Sequence, residues 1–318
     1  IRVPDARHLS STIEMLDPDQ AVDVCVIDEV QMLADKDRGW AWTAALMGAP
    51  ARTVYLLGAP EVRPLVERAA AHLALREVKF SVTPDAKPIL DVPHLEIKPG
   101  ERVAVLGAIG SGKSTLLKVL SGLYKPTSGP AMLGGLDVQT LAPEYVREQI
   151  AYLPQDVRLF EGTLRDNLVM GLPTPSDDHV LRAAHNTGLI RLIKSHPQGL
   201  ELPIFEGGRG LSGGQRQLVG RTRMLLAMPQ VLLLDEPTAS LDGATEVQVM
   251  KHLFSELAPS STVLVVTHKL SLLPLVQRVV VIEQGRVVLD GPTQEVMAKL
   301  RPPAKPTAPN PAVQGAVA

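Results

Sequence analysis

The sequence is poor in the residues on which several classes of protein depend. Aromatic residues make up only 3% of its 318 positions, which argues against a surface that stacks on the bases of nucleic acid. Its formal net charge of −2 offers no electrostatic attraction to DNA or RNA. We therefore expect no nucleic-acid partner.

Cysteine and long hydrophobic runs are also scarce. The single cysteine, Cys25, excludes an intramolecular disulfide and is typical of a reducing compartment. The longest apolar runs, such as Val231–Leu234, are far shorter than the roughly 20 residues that span a bilayer. Hydrophobic residues nevertheless make up 45% of the chain, enough for a sizeable core. The composition predicts an intracellular chain without a transmembrane segment of its own.

A glycine-rich stretch follows the apolar run that begins at Val103. Its pattern, G-x-x-x-x-G-K-S, starts at Gly107 and ends at Ser114, and helical periodicity follows directly. A strand, a glycine-rich turn and a helix in this order form a phosphate-binding loop. Lys113 would reach the terminal phosphates of a nucleotide, and the Ser114 hydroxyl would hold Mg²⁺. The predicted phosphate-binding residues are Gly107, Gly110, Ser111, Gly112, Lys113, Ser114 and Thr115.

A second glycine motif, Leu211–Gln215, reads Leu-Ser-Gly-Gly-Gln and precedes a predicted helix from Arg216 to about Ala227. The Ser212 hydroxyl and free backbone N–H groups would meet at the helix N-terminus, where anions are favoured. Ser-Gly-Gly alone is often a linker. The full pentapeptide lies between a phosphate loop and an acidic strand end, which favours a second phosphate site.

That acidic strand end is Asp235 and Glu236, directly after Val231–Leu234. Asp235 would support Mg²⁺, and Glu236 would act as general base for, or orient, an attacking water. Further continuous apolar runs lie at 262–266 and 279–282. Strands that are apolar throughout are typical of a parallel sheet covered by helices on both faces.

Shorter patterns predict the remaining elements. Residues 75–82 alternate as a half-buried strand, and further strands are expected at 89–97, 131–133 and 150–153. The helix after the phosphate loop should end near Leu123, and the region from 157 to 227 should be mostly helical. Ser176 is the expected N-cap of one of those helices.

These motifs make residues 73 to about 300 resemble the nucleotide-binding domain of an ATP-binding cassette (ABC) transporter. The resemblance implies an α/β fold of the P-loop NTPase class, with a RecA-like parallel sheet, an antiparallel β subdomain and a helical subdomain. It implies ATP and Mg²⁺ as cofactors and ATP hydrolysis coupled to transport. It also implies a head-to-tail dimer, in which each ATP lies between the phosphate loop of one copy and Leu211–Gln215 of the other.

Several further residues match this family position by position. Gln155 matches the Q-loop, which links Mg²⁺ and water to the membrane subunit, and His268 matches the switch histidine at the γ-phosphate. Glu206 matches the X-loop acid of exporters, and residues 240–242 match the D-loop, which contacts the partner copy. The implied catalytic residues are Lys113, Gln155, Glu236 and His268; the implied metal-binding residues are Ser114, Gln155 and Asp235; and the implied contacts to the partner's nucleotide are Ser212, Gly213, Gly214 and Gln215.

The sequence departs from the family at three places. Val82 occupies the position of the aromatic residue that stacks on adenine, a loss of about 1 kcal/mol of stacking. Phe205 replaces a common glycine before Glu206, and Arg221 and Thr222 interrupt a usually apolar stretch of the helix after the signature motif. None of these residues takes part in the phosphate chemistry.

Residues 154–168 are similar to exporters, and most similar to type I secretion ATPases. The resemblance therefore implies three partners: a second copy, the transmembrane domain of an exporter and a membrane-fusion protein. It also implies a cytoplasmic location on the inner face of the cell membrane, through the transmembrane partner.

The two ends of the chain follow other patterns. Residues 28–31 read Asp-Glu-Val-Gln after an apolar run, and 39–42 read Gly-Trp-Ala-Trp; both resemble motif II of a mitochondrial-degradosome-type RNA helicase. No phosphate loop precedes them, so residues 1–72 are expected to be an inert α/β fragment. Residues 301–318 are rich in proline and alanine, which predicts a disordered tail.

Three functions therefore remain open. The first is an exporter-type ATP hydrolase. The second is a helicase or an ABC-type nucleic-acid ATPase, suggested by residues 1–72. The third is an inactive binding module, which would result if Val82 and the fused N-terminal fragment prevented ATP binding or dimerisation.

Overall fold

A computed structural model describes residues 22–30, 32, 51–58, 71–83, 85–172, 175–239, 243–258 and 260–300. The predicted D-loop at 240–242, the Gly-Trp-Ala-Trp stretch at 39–42 and the predicted tail at 301–318 lie outside these residues. Every helix among these residues is too short or too polar to span a lipid bilayer.

Among the described residues, five strands precede the first α-helix, and strands and helices are interspersed after it. The strands are β1 (Val22–Ile27), β2 (Ala51–Leu56), β3 (Leu73–Phe80), β4 (Leu90–Ile97), β5 (Arg102–Leu106), β6 (Ala131–Leu133), β7 (Leu136–Asp137), β8 (Ile150–Leu153), β9 (Gly162–Thr163), β10 (Pro203–Ile204), β11 (Val231–Asp235), β12 (Thr262–Val266), β13 (Arg278–Glu283) and β14 (Arg286–Pro292). The α-helices are α1 (Lys113–Leu120), α2 (Pro143–Gln149), α3 (Leu164–Val169), α4 (Asp177–Thr187), α5 (Ile190–Ser195), α6 (Gly213–Ala227), α7 (Gly243–Glu256) and α8 (Thr293–Leu300). Short 3₁₀ helices lie at Val138–Thr140, Gly199–Glu201, Glu206–Gly208 and Leu270–Leu275.

A six-stranded sheet, in the order β14-β13-β5-β12-β11-β8, forms the centre of the fold. All of its neighbouring strands are parallel except the β13–β14 pair. Every residue of β11 and β12 is buried, as expected for strands covered on both faces. The predicted parallel core is therefore confirmed. The carboxyl ends of β5, β11 and β12 lie side by side, so the loops that follow them meet at one edge.

A four-stranded antiparallel sheet, in the order β4-β3-β6-β7, packs against α1 and the central sheet. It corresponds to the predicted antiparallel β subdomain. Strand β3 spans residues 73–80, whereas the sequence predicted a strand at 75–82. The alternation of the sequence identified the strand but misplaced its ends, because Val82 lies beyond the last residue paired with β4.

Helices α3 to α6 form the predicted helical subdomain between β8 and β11. The region is less uniformly helical than expected, since β9 and β10 pair within it. Ser176 caps α4 by accepting a hydrogen bond from the backbone N–H of His179, as predicted. Helix α6 begins at Gly213 rather than Arg216, and α1 ends at Leu120 rather than near Leu123.

Strands β1 and β2 form a separate parallel pair, with Cys25 opposite Val54. In the described part of the chain neither strand pairs with any other. Val24 and Val26 are 52% and 56% exposed, whereas Ile27 at the end of the same strand is only 2% exposed. A two-stranded sheet with one face open to solvent buries little apolar surface and is marginal by itself.

A charged side chain lies buried in α6. Arg221 is only 4% exposed, and its Nε atom has no hydrogen-bond partner among the described residues. Burial lowers the pKa of its guanidinium. This is the position where the sequence departs from the apolar pattern of the family, and the structure offers the charge no compensation at Nε.

We expect Arg221→Leu to raise the free energy of unfolding by about 1–3 kcal/mol, because it removes a buried donor that lacks a partner. Urea denaturation of both proteins measures the difference. Arg182→Leu, at an exposed position of α4, is the control and should shift stability by less than about 0.5 kcal/mol. A loss of stability in Arg221→Leu would contradict this account.

The turn between β5 and α1 contains two glycines, Gly107 and Gly110, that differ in how closely other atoms surround them. A Cβ on Gly107 (φ +154°) would lie 2.2 Å from the carbonyl oxygen of Ile282 and 2.6 Å from Oγ of Ser111. A Cβ on Gly110 (φ +80°) would meet no described atom within 4 Å. Both residues need a positive φ, but only Gly107 is also closely surrounded.

Gly107→Ala should therefore destabilise the nucleotide-free protein more than Gly110→Ala. We expect a loss of about 1–2 kcal/mol for Gly110→Ala from the backbone conformation alone, and a larger loss for Gly107→Ala, since a backbone atom would have to move. Chemical denaturation without nucleotide compares the two variants directly. Equal losses would show that the contact with Ile282 does not constrain the turn.

Candidate functional site

The predicted phosphate loop forms a turn at the carboxyl end of β5, directly before α1. Gly112 is the N-cap of α1 and provides no capping side chain, so the first N–H groups of the helix remain available to an anion. Lys113 Nζ donates to the carbonyl oxygens of Gly107 at 2.8 Å and Ala108 at 2.7 Å. The lysine thus lies along the loop at the point where phosphate would bind.

Two opposing effects act on the pKa of Lys113. Burial lowers the pKa of this ammonium group, while the nearby carboxylates of Glu236 and Asp235 oppose the shift. In the same loop, Oγ of Ser111 is buried and has no hydrogen-bond partner among the described residues. The loop therefore presents a positive group and an unsatisfied hydroxyl, both suited to phosphate oxygens.

Asp235, the last residue of β11, is almost fully buried beside the loop. Burial raises the pKa of its carboxyl group, and hydrogen bonds from the hydroxyls of Ser114 and Tyr152 oppose that rise. The Tyr152 hydroxyl donates to Oδ2 of Asp235 at 3.4 Å. Oδ1 of Asp235 is buried and has no hydrogen-bond partner among the described residues. An unpaired carboxylate oxygen next to a serine hydroxyl fits Mg²⁺, which takes one or two protein ligands and completes its shell with water and phosphate.

Three predicted catalytic residues meet around one carboxylate. Gln155 Nε2 donates to Oε2 of Glu236 at 3.2 Å, and Nδ1 of His268 lies 3.3 Å from Oε1 of Glu236. The three residues follow β8, β11 and β12, which are neighbours in the sheet. Glu236 also has a positive φ of 45°, which turns its side chain sharply at the end of the strand. Such a cluster can hold and deprotonate a water molecule.

The signature residues lie at the start of α6. Gln215 N donates to Oγ of Ser212 at 3.2 Å, and Ser212 N donates to Oε1 of Gln215 at 2.8 Å, which forms a capping box. Ser212 and Gly213 are exposed. The side chains of Ser212 and Gln215 thus bond to each other's backbone and not to the phosphate loop of the same chain.

The remaining predicted contacts differ in exposure. Val82 follows β3 and is 73% exposed. The aromatic residue nearest in sequence, Phe80, stacks on Tyr124 with ring centroids 5.0 Å apart. Thr115 is the third residue of α1 and is partly buried.

Sequence reasoning missed two residues of the site. Gln217 Nε2 donates to the backbone carbonyl of Gln155 at 2.5 Å, which ties the Q-loop to the signature helix. Tyr152 contacts Asp235, as described above. Tyr152 precedes the predicted Gln155 by three residues and Gln217 follows the signature by two, but neither spacing indicates a contact between segments so far apart in the chain.

Two parts of the chain match known families. Residues 90–239 match the family model described as ABC transporter. Residues 1–78 match the model described as the DEXQ-box helicase domain of Suv3. Both resemblances predicted from the sequence are therefore confirmed.

Curated relatives point to the same family. The chain is 39% identical over 230 residues to the mycobactin import ATP-binding/permease protein IrtB of Mycolicibacterium thermoresistibile, covering 72% of this chain and 39% of that protein. It is 37% identical to the glutathione/L-cysteine transport system ATP-binding/permease protein CydC of Escherichia coli, covering 71% and 39%. It is 35% identical to the leukotoxin translocation ATP-binding protein LktB of Mannheimia glucosida, covering 71% and 32%. The chain thus spans only about a third to two-fifths of their length.

A solved structure shares the fold. A bacterial Atm1-family ABC exporter with ATP bound superposes with a TM-score of 0.67 and 30% identity, over 72% of this chain and 40% of that one. The predicted P-loop fold and the predicted assignment as an ABC-type ATP hydrolase are both confirmed by these matches. The region that carries the site therefore belongs to the ABC transporter family, as an ATP-binding domain similar to those of exporters.

Proposed function

We propose that the chain hydrolyses ATP between two copies of residues 73–300 and thereby drives export through a transmembrane domain. The observation that carries this proposal is the contact of both Gln155 and His268 with the Glu236 carboxylate. These three side chains lie at the same sheet edge as Lys113 and Asp235. A nucleotide gripped by the phosphate loop would place its γ-phosphate before them.

The reaction follows from the roles these groups can take. Glu236 accepts a proton from a water molecule that Gln155 helps to position, and the water oxygen forms a bond to the γ-phosphorus. The bond between the γ-phosphorus and the bridging oxygen breaks, which leaves ADP and phosphate. Lys113 and His268 stabilise the charge on the γ-phosphate oxygens. Mg²⁺, held by Ser114 and Asp235 with Gln155 nearby, would supply further positive charge to the β- and γ-phosphates.

A second copy would complete the site. The capping box leaves the N–H groups of Gly213 and Gly214 ahead of the first intrahelical bonds of α6, where they are free to bind an anion. The side chains of Ser212 and Gln215 do not contact the phosphate loop of their own chain. A γ-phosphate bound from both sides would hold two copies together until hydrolysis releases them.

Val82 sets the proposed site apart from its family. An exposed aliphatic side chain provides less contact area to adenine than an aromatic ring, so we propose that affinity comes mainly from the phosphates. The site would then discriminate weakly between nucleotide bases.

We propose more specifically that the exported substrate is a protein, as in type I secretion. The support for this proposal is the similarity of residues 154–168 to those ATPases and the resemblance to a leukotoxin translocation protein. A transmembrane exporter domain and a membrane-fusion protein would be the partners. The chain would then act in the cytoplasm, at the inner face of the membrane.

We also propose the domain boundaries 1–72, 73–300 and 301–318. Strand β3, the first strand of the antiparallel subdomain, begins at Leu73, which supports the first boundary. Residues 1–72 would be inert, because β1, which precedes the helicase-like Asp28 and Glu29, pairs with β2 and not with the sheet that carries the phosphate loop. The match to a helicase model favours a nucleic-acid ATPase as the second candidate; RNA-stimulated ATP turnover that survives Ser212→Ala would support it.

The Glu236→Gln variant tests the proposed chemistry. It should lower ATP turnover at least about 100-fold, because the side chain keeps its shape but can no longer accept the proton. It should still bind ATP with Mg²⁺ and accumulate as a dimer, measured by light scattering after gel filtration. Glu283→Gln is the matched control, an exposed carboxylate near the end of β13. Unchanged turnover in Glu236→Gln would refute the role of this residue.

A further inference from the structure

A buried carboxylate lies outside the groups that would touch the nucleotide. Glu246, in the first turn of α7, has a fully buried side chain, with 0% relative exposure. A carboxylate in such a position is costly unless several donors satisfy it. The identity of those donors shows what the residue does.

One oxygen of Glu246 is bonded to the loop that follows β11. The Thr238 hydroxyl donates to Oε1 of Glu246. Thr238 lies two residues after Glu236 and is itself buried. The loop carrying the proposed base is thereby attached to α7.

The other oxygen of Glu246 is bonded to the loop that follows β12. Ser271 Oγ donates to Oε2 at 3.0 Å, and Lys269 Nζ lies 3.5 Å from the same atom. Lys269 directly follows His268. The loop carrying the switch histidine is therefore attached to the same carboxylate.

Lys269 closes the network. Its Nζ also donates to the backbone carbonyl of Thr238 at 2.9 Å. The two loops are thus linked both through Glu246 and directly to each other. Beyond the last strand pair, Asp235 with Val266, the one backbone hydrogen bond between the described parts of these two segments runs from Glu236 N to Val266 O.

We propose that Glu246 is a positioning residue that sets the distance between Glu236 and His268. The 3.3 Å contact between those two side chains joins loops from different strands, so it depends on how the loops are held together. Glu246 holds both through opposite oxygens of one carboxylate. This inference rests on the proposed ATP hydrolysis, and it concerns the rate of the chemical step, not the binding of ATP.

Glu246→Gln in the full 318-residue chain provides the test. The amide keeps the size of the side chain but loses the charge that faces Lys269, and its single oxygen can accept from only one of the two loops. We expect kcat to fall about tenfold with KM for ATP changed by less than about twofold, because the phosphate loop is untouched. The control Glu256→Gln, an exposed position at the end of the same helix, should leave both constants unchanged.

A double-mutant cycle distinguishes positioning from a general effect on the fold. If Glu246 acts through the Glu236–His268 contact, Glu246→Gln should cause little further loss of kcat in the His268→Ala background. A further tenfold loss there would overturn the proposal, as would an unchanged kcat in Glu246→Gln. If Glu246→Gln does not fold, Ser271→Ala, which removes one donor at an exposed position, enters the same cycle with the same criteria.

The wild-type chain in the same assay keeps the two proposals separate. A wild-type chain that does not hydrolyse ATP would defeat the proposed function. An active wild type whose Glu246→Gln variant keeps its kcat would defeat only the positioning role.

Discussion

The site depends on the alignment of three parallel strands, β5, β11 and β12, whose carboxyl ends lie at one edge of the central sheet. Their backbone ladder places the phosphate loop, the Asp235–Glu236 pair and His268 next to one another, although Gly107 and His268 are 161 residues apart in the chain. The apolar residues that bury both faces of these strands therefore position the chemistry. Any substitution that shifted one strand by a residue would separate the charged groups at its end.

The same alignment explains which parts of the site could be predicted from the sequence. The phosphate loop and the acidic pair are local motifs, each following its own apolar strand, and the structure confirms the parallel core that carries them. Residues such as Gln217 and Glu246 could not be predicted, because they act through contacts between segments distant in the chain. Ends of elements were also misplaced, as for β3 near Val82, since alternation continues for a short distance beyond the last paired residue.

The N-terminal fragment shows how a motif differs from a site. Asp28 and Glu29 follow a strand just as Asp235 and Glu236 do, and Glu29 also has a positive φ. Strand β1, which precedes them, pairs with β2 and not with the central sheet that carries the phosphate loop. In contrast, Asp235 and Glu236 lie next to Lys113 and Ser114 of the phosphate loop. A nucleotide bound by that loop would lie within reach of both carboxylates.

The central claim is that one nucleotide site is formed by two copies of the chain. The phosphate loop and the start of α6 each present backbone N–H groups that are available to an anion. Among the described residues, the side chains of Ser212 and Gln215 bond to each other's backbone. The most direct measurement is ATP turnover per chain as a function of protein concentration at saturating MgATP. A shared site predicts that turnover per chain rises with concentration before it levels off. Turnover per chain that is constant across the range in which the protein is monomeric would contradict the claim.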